Sequence, residues 1–548
     1  MSREIQTVAV VGAPAVTALP VANLESSGAR LVTLTEADVA GVAEADLVIV
    51  AGRETLAAQR ELLAAVDAAA PAEAVVAVAS AGFGLGELAF ATANPTRVVG
   101  LRLPLRADLP GAELVTTIAT DAEAVEAVRA LLEKAGKTPT VIGDRPGQIV
   151  AGLLLPYLNQ AAGMFEARYA SRDDIDAAMR LGCGLPAGPL QLLDTIGVDV
   201  AYDLLDALHA RTGDARHAPA PVLRQLIAAG RTGVAAGAGF YTYEAPGSAK
   251  AVADDDSDAS GEHLATRPVQ SVGVVGSGTM ATGIMEVFAK AGYDVVYIAR
   301  SDEKVAGVRA AIEKSLEKAV SRGKLAEADR DAALARLSGA TSHDALAQVD
   351  LVVEAVVEDL AVKLELFKSL DKVCKPGAIL ATTTSSLPVV EMAAVTSRPA
   401  DVIGIHFFNP AAVMKLVEVV ETVQTAADVV ATTLEVTKKV GKHAVQCGDR
   451  AGFIVNALLF PYLNDATLLL ESGFADADTI DAAITGALGY PMGPFALIDV
   501  VGTDVTLAIQ QVLQGAFREP GFTPAPLLGQ LVGAGYLGRK TKRGFRAY

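Results

Sequence analysis

The run His406-Phe407-Phe408-Asn409-Pro410, with Glu418 twelve residues further on, holds the residue types needed to move a proton. His406 follows an apolar run at residues 402–405, so it falls where a strand would end, at the ligand-binding edge of an α/β sheet. A neutral imidazole near its ordinary pKa can take the proton of an alcohol while hydride leaves the same carbon. Glu418 can orient the ring and stabilise its charge. A lone histidine is more often a core group. Set beside this glutamate and a glycine-rich turn upstream, it reads as chemistry.

That turn, Gly276-Ser277-Gly278-Thr279-Met280-Ala281-Thr282-Gly283, follows one apolar run and opens an amphipathic one. Gly276 permits the tight turn, Gly278 lets the backbone approach a pyrophosphate, and Ala281 allows close packing of helix on strand. Thr279 and Met280 begin the helix whose N-terminus would face the phosphates. The next apolar run, 294–299, ends on Ala299 and Arg300, where an acid usually binds the adenine-ribose hydroxyls of NAD. An arginine can instead pair with a 2′-phosphate, so the cofactor reads as NAD or NADP; a solvated Arg300 is the plainer alternative. Thr382-Thr383-Thr384-Ser385-Ser386 closes another run and offers hydroxyls to a substrate oxygen, although such clusters more often cap helices. Glu358 and Lys363 read, taken alone, as an exposed helix pair. Asn456 lies in an apolar helical stretch, as a satisfied core amide or as a substrate contact.

The elements that must place these residues occur twice. At a shift of 305, residues 143–243 and 448–548 align without a gap and agree at 42 positions. Both stretches open on Gly-Asp-Arg, share Pro-Tyr-Leu-Asn and end on a tyrosine, Tyr243 and Tyr548. Upstream of each, Val/Ile-rich runs alternate with amphipathic stretches, the pattern of parallel α/β structure. The fold class is therefore α/β: a Rossmann-like domain followed by an all-helical domain, the pair present twice. The expected boundaries are 1–142, 143–244, a flexible linker 245–268 around Asp254-Asp255-Asp256-Ser257-Asp258, then 269–447 and 448–548. The second half carries about forty extra residues, roughly 302–341, which read as a charged helical arm hinged at Gly323.

Composition narrows the function. The net charge of −18 argues against nucleic acid or an anionic membrane as partner, and no apolar run reaches the ~18–20 residues of a membrane span. Cys183, Cys374 and Cys447 are scattered and form no CxxC, which argues for a reducing compartment and against a metal site. With no secretory signal read at the N-terminus, the expected location is the cytoplasm.

On these motifs, residues 269–548 resemble the 3-hydroxyacyl-CoA dehydrogenases of the 3-hydroxybutyryl-CoA type. The resemblance covers Gly276–Gly283, Glu354-Ala-Val-Val-Glu358, Thr384-Ser385-Ser386-Leu387, His406–Pro410, Met414-Lys-Leu-Val-Glu418, Gly452-Phe-Ile-Val-Asn456 and Tyr490-Pro-Met-Gly-Pro494. It implies His406 as catalytic base paired with Glu418, and Ser385 and Asn456 at the reacting oxygen or thioester. It places Glu358 and Lys363 at the cofactor and Asn409 near the substrate. It assigns Ser315 and Arg322, on the arm, to holding CoA. The sequence departs from the family at Ala299, which usually is an acid, and at Thr383, which usually is Asn. No hydratase segment is expected ahead of the first strand. The rival readings are a 3-hydroxyadipyl-CoA dehydrogenase and a non-catalytic CoA- or nucleotide-binding scaffold.

The first half lacks this chemistry. Gly12-Ala13-Pro14 replaces the glycine turn, and the matching positions read Ala81 for Ser385, Arg102 for His406, Leu114 for Glu418, Ala151 for Asn456 and Gln59 for Lys363. Residues 184–189, Asp194 and 219–221 persist as packing features. Family members pair through the helical domain. The chain therefore reads as an internal pseudo-dimer, with acyl-CoA as its substrate and further homo-oligomerisation open.

Overall fold

The computed structural model describes residues 4–52, 55–79, 82–253 and 265–548. Ala81 and the acidic stretch at 254–258 lie outside the described residues.

The first sheet contains β1 (Thr7–Val11), β2 (Arg30–Leu34), β3 (Leu47–Val50), β4 (Val75–Val78), β5 (Val98–Arg102), β6 (Gly111–Thr116) and β7 (Thr138–Gly143). Its order is β2-β1-β3-β4-β5-β6-β7, parallel except where β5 meets β6. The second sheet holds β8 (Ser271–Val275), β9 (Asp294–Ile298), β10 (Leu337–Ala340), β11 (Leu351–Glu354), β12 (Ile379–Thr382), β13 (Val402–Phe407), β14 (Leu416–Glu421) and β15 (His443–Gly448). Its order, β10-β9-β8-β11-β12-β13-β14-β15, repeats the first and adds one strand. The Val/Ile runs form strands buried along their length because helices cover both faces of such sheets.

The added strand comes from the forty extra residues. They form helices Asp302–Ser321 and Glu327–Ala335, with Gly323 at φ +66° between them, as the sequence suggests. The four residues Leu337–Ala340 then pair with β9, Leu337 opposite Val295. The arm is thus anchored as an edge strand, a feature too short to read from periodicity.

After β7 and after β15 the chain turns helical. Helices Val150–Glu166, Arg172–Cys183, Pro189–Ile196, Val198–Thr212 and Pro221–Ala228 recur as Val455–Glu471, Ala477–Leu488, Pro494–Val501, Thr503–Phe517 and Pro526–Gly533. The shared motifs serve this packing. Asn159 donates to the carbonyls of Arg216 and Ala218 and accepts from the Ala220 N–H; Asn464 holds Thr523 and Ala525 in the same way. Buried Asp194 accepts from the Phe240 and Tyr241 N–H groups and the Tyr243 hydroxyl, and Asp499 repeats this with Phe545, Arg546 and Tyr548.

The chain forms two compact units. One is drawn from Met1–Glu166, Pro189–Val252 and Leu458–Tyr548, the other from Ala167–Gly188 and Ala253–Ala457. In the first unit, helix Ala477–Leu488 of the second copy packs on β6, with Gly111 against the backbone at Gly486. In the second unit, helix Arg172–Cys183 of the first copy packs on β14 and β15, and Tyr169 donates to the Gly448 carbonyl at 2.7 Å. Each copy therefore lends the same helix to the other copy's sheet.

Candidate active site

The site lies within the second unit, at the carboxyl edge of the β8–β15 sheet. Strands β13 and β14 run antiparallel in a register that sets His406 opposite Glu418. The imidazole is 5% exposed, against the rings of Phe408 and Phe453. Its Nδ1 lies 2.7 Å from Glu418 Oε2, and its Nε2 lies 3.0 Å from Ser385 Oγ. The other Glu418 oxygen accepts from the backbone N–H groups of Ile454 and Val455, at 3.0 and 2.9 Å, where helix Val455–Glu471 begins. Negative charge at a helix N-terminus is favourable, and this fully buried carboxyl group faces the imidazole. With Nδ1–H donating to Glu418, Nε2 is the nitrogen placed to accept from the Ser385 hydroxyl.

Ser385 and Asn456 join this line. Asn456 Nδ2 donates to the Ser385 carbonyl at 3.2 Å, and Glu358 Oε1 accepts from the Ser385 N–H at 2.9 Å and the Thr384 hydroxyl at 2.6 Å. Lys363 is buried, not the exposed helix partner its spacing alone suggests. Its ammonium is 2.7 Å from Glu354 and 3.3 Å from Glu358. Glu354 is the residue that sequence reasoning missed as a site member. It ends β11 fully buried and accepts from Lys363, the Thr382 hydroxyl and the Val356 N–H. A lone acid closing the apolar run Leu351-Val-Val-Glu354 was the available signal. Thr383 donates its backbone N–H to the Glu354 carbonyl.

The cofactor turn borders this cluster. Gly276 has φ +139°, and a Cβ there would overlap the Ala355 carbonyl, so only glycine fits. Gly278 has ordinary extended backbone, and no atom lies within 4 Å of where its Cβ would be. Its smallness serves no internal contact and suits a ligand's approach. No side chain caps helix Thr279–Lys290, whose first N–H groups stay open to an anion. These features fit a dinucleotide pyrophosphate. Arg300 is exposed beside the end of β9, and Asn409 is exposed after β13. Ser315 and Arg322 are exposed on and just past helix Asp302–Ser321, and among the described residues no hydrogen bond or ion pair ties them to the cluster. Among the described residues no group of His, Cys, Asp and Glu is arranged to hold a metal.

The first half shows what is missing and corrects one equivalence. Strands β5 and β6 pair Arg102 with Glu113, not with Leu114. Glu113 Oε1 accepts from the Ile149 and Val150 N–H groups at 3.0 and 3.1 Å, the cradle that Glu418 occupies. The connection from β5 to β6 is one residue shorter than its counterpart, which shifts the register by one position. The glutamate is retained and the histidine is lost. Arg102 donates to the Val78 carbonyl and to Gln148, and burial lowers its guanidinium to about 10. Gln59 replaces the lysine and turns to the Gly52 carbonyl at 3.0 Å. Pro14 begins the helix where the second half has open N–H groups.

The family model described as 3-hydroxyacyl-CoA dehydrogenase, NAD binding domain matches residues 21–145 and 271–450. The first of these matches begins beyond the Gly12-Ala13-Pro14 turn. The model described as 3-hydroxyacyl-CoA dehydrogenase, C-terminal domain, matches 147–243 and 452–548. The chain belongs to the 3-hydroxyacyl-CoA dehydrogenase family, with both family domains in tandem, and is an NAD-dependent dehydrogenase. A 3-hydroxybutyryl-CoA dehydrogenase of Mycobacterium tuberculosis is 47% identical over 282 residues, 51% of this chain and 99% of that protein. The mitochondrial hydroxyacyl-coenzyme A dehydrogenase of Sus scrofa is 43% identical, over 51% of this chain and 91% of that protein. The crystal structure of (S)-3-hydroxybutyryl-CoA dehydrogenase from Ralstonia eutropha aligns with a TM-score of 0.51 at 40% identity, covering 51% of this chain and 99% of that one.

Proposed function

We propose that the second half interconverts (3S)-3-hydroxyacyl-CoA and 3-oxoacyl-CoA, with 3-hydroxybutyryl-CoA as the preferred substrate class. The observation that carries this is the continuous line from Ser385 Oγ through His406 to Glu418 and the helix N-terminus. Bound NAD supplies the hydride acceptor. His406 Nε2 takes the 3-hydroxyl proton, the ring becomes imidazolium, and Glu418 stabilises that charge across Nδ1–H. Ser385 and Asn456 hold the reacting oxygen and the thioester. Gly276, Gly278, Thr279 and Met280 would take the pyrophosphate, and Glu358 and Thr383 would border the nicotinamide, with Lys363 held behind them on Glu354. Asn409 borders the acyl group, and Ser315 and Arg322 reach the CoA. Arg300 permits NADP as a second cofactor. The names of the M. tuberculosis and R. eutropha relatives support the short acyl chain.

The first half serves as the internal pairing partner, making the chain a pseudo-dimer; the helix exchanged onto β14 and β15 supports this reading. The three free cysteines suit a reducing compartment, and we place the protein in the cytoplasm, acting in fatty-acid β-oxidation.

Steady-state kinetics over an acyl-CoA series, with NAD(H) and NADP(H), test the assignment. The highest kcat/KM is expected with 3-hydroxybutyryl-CoA and NAD. A clear preference for 3-hydroxyadipyl-CoA would replace the substrate, and no turnover on any acyl-CoA would end the catalytic reading.

A further inference from the structure

Within the first unit the two copies' helical segments meet on equivalent positions. Tyr157 faces Tyr462, its own counterpart at the shift of 305, with ring centroids 6.0 Å apart. Arg216 packs against its counterpart Gly521, where an added Cβ would overlap the arginine side chain. Residues that meet their own counterparts mark a local pseudo-two-fold axis. One contact of this unit has its copy-exchanged equivalent in the other unit: Arg145 lies over Phe474, and Arg450 lies over Tyr169.

The contact at Arg216 does not repeat. Arg216 pairs with Asp465 and also with Asp214 of its own copy, at 2.7 Å. Exchanging the copies turns the Arg216–Asp465 pair into Gly521 facing Gln160, which carries no charge at all. The Asp465 side chain is 11% exposed and that of Arg216 is 26% exposed. Burial raises the Asp465 carboxyl to about 6, with Arg216 pulling it back down.

We infer that Arg216, Asp465 and Gly521 make the helical surface selective for unlike copies, so that the two halves of this protein accept each other and reject a second copy of themselves. Two first copies would bring Arg216 against Arg216 in the space that Gly521 leaves, and each would face Gln160. Two second copies would bury two Asp465 carboxyl groups with no cation to hold them ionised, beside a gap at paired glycines. Removing one partner of a buried ion pair is strongly unfavourable, and a repulsive element is what separates one partner from a near-identical one. The wrong pairings are therefore penalised on both sides. The inference rests on the pseudo-dimer reading.

The test uses two full-length variants, Arg216→Glu and Asp465→Arg, one carrying heavy isotopes. Each alone places like charges together and should unfold about 5–10 °C below wild type. The double variant Arg216→Glu/Asp465→Arg should regain most of that loss as a single chain. Refolded together, the two single variants should exchange halves into a 1:1 two-chain species. There the two substituted side chains, one from each variant, face each other with opposite charges, and the native Arg216–Asp465 pair forms on the other side. Native mass spectrometry reads the isotopic composition. Single variants as stable as wild type, or a mixture that shows no excess of the mixed species, would overturn the selectivity. A separate full-length variant, Arg145→Cys/Ser472→Cys, treated with a short bis-maleimide, reads the pairing itself, because those side chains lie 3.0 Å apart. Cross-linking within one chain, together with an inert charge reversal, would keep the pseudo-dimer and discard the selectivity. Absence of the intrachain link would discard the pseudo-dimer reading.

Discussion

The corner between β5 and β6 and the corner between β13 and β14 hold a glutamate in the same cradle, and they differ in what stands across from it. Glu113 and Glu418 each accept two N–H groups at a helix start. Opposite them stand Arg102 and His406. The glutamate thus does two jobs. It accepts from a helix start, which any copy of the fold needs, and in the proposed mechanism it also orients a base, which only an active copy needs. The first half keeps the residue whose loss would leave the Ile149 and Val150 N–H groups unpaired, and lacks the one assigned to the proposed catalysis. The same division separates Glu354 and Lys363 from Val50 and Gln59: a buried ion pair became a packed apolar residue and a self-satisfied amide.

The largest test of this contrast is the base. His406→Ala is expected to lower kcat by ~10²–10⁴-fold with cofactor binding near normal, whereas Arg102→Ala should leave kcat unchanged. Activity within a few-fold of wild type would remove His406 from its role. Next in size is the charge pair. Glu354→Gln leaves the buried Lys363 ammonium with only the more exposed Glu358, 3.3 Å away, and should cost up to about 3–5 kcal/mol in chemical denaturation; Val50→Thr, at the corresponding strand end, should cost far less. A fully stable Glu354→Gln variant would mean that water reaches Lys363. Calorimetric titration with NADH should then give one site per chain, since Pro14 blocks the approach that Gly278 allows. Two equal sites would show that the first turn binds after all. The smallest effect is at Arg300. Arg300→Ala should raise KM for NADP(H) by about ten-fold, the loss of one charge-assisted bond, and barely change KM for NAD(H). Equal changes for both would dismiss the phosphate contact.

Much of this was legible in the residues. The glycine turn and His406 are local patterns, and the repeat at 305 is a long-range one. The structure places the turn and the histidine at or near strand ends and the repeat on helices, whereas Glu418, for which the pattern implies no strand, sits inside β14. Glu354 was harder to see, because a single acid ending an apolar run resembles an ordinary strand terminus until Lys363 is seen to fold back onto it. The Leu114 equivalence failed on a one-residue difference in a loop, which changes which face of a strand a side chain takes. The exchange of helices between copies left no local trace, since Arg172–Cys183 carries the same apolar face whichever sheet receives it.

Joining the copies in one polypeptide also changes how a substitution is felt. In a symmetric pair of separate subunits every change at the axis appears twice and meets itself, so an arginine gained there faces an arginine. In this chain Arg216 appears once and finds Gly521. In the proposed pseudo-dimer, fusion thereby opens the axis to residue combinations that a homodimer must reject, with twice the polypeptide for each proposed site.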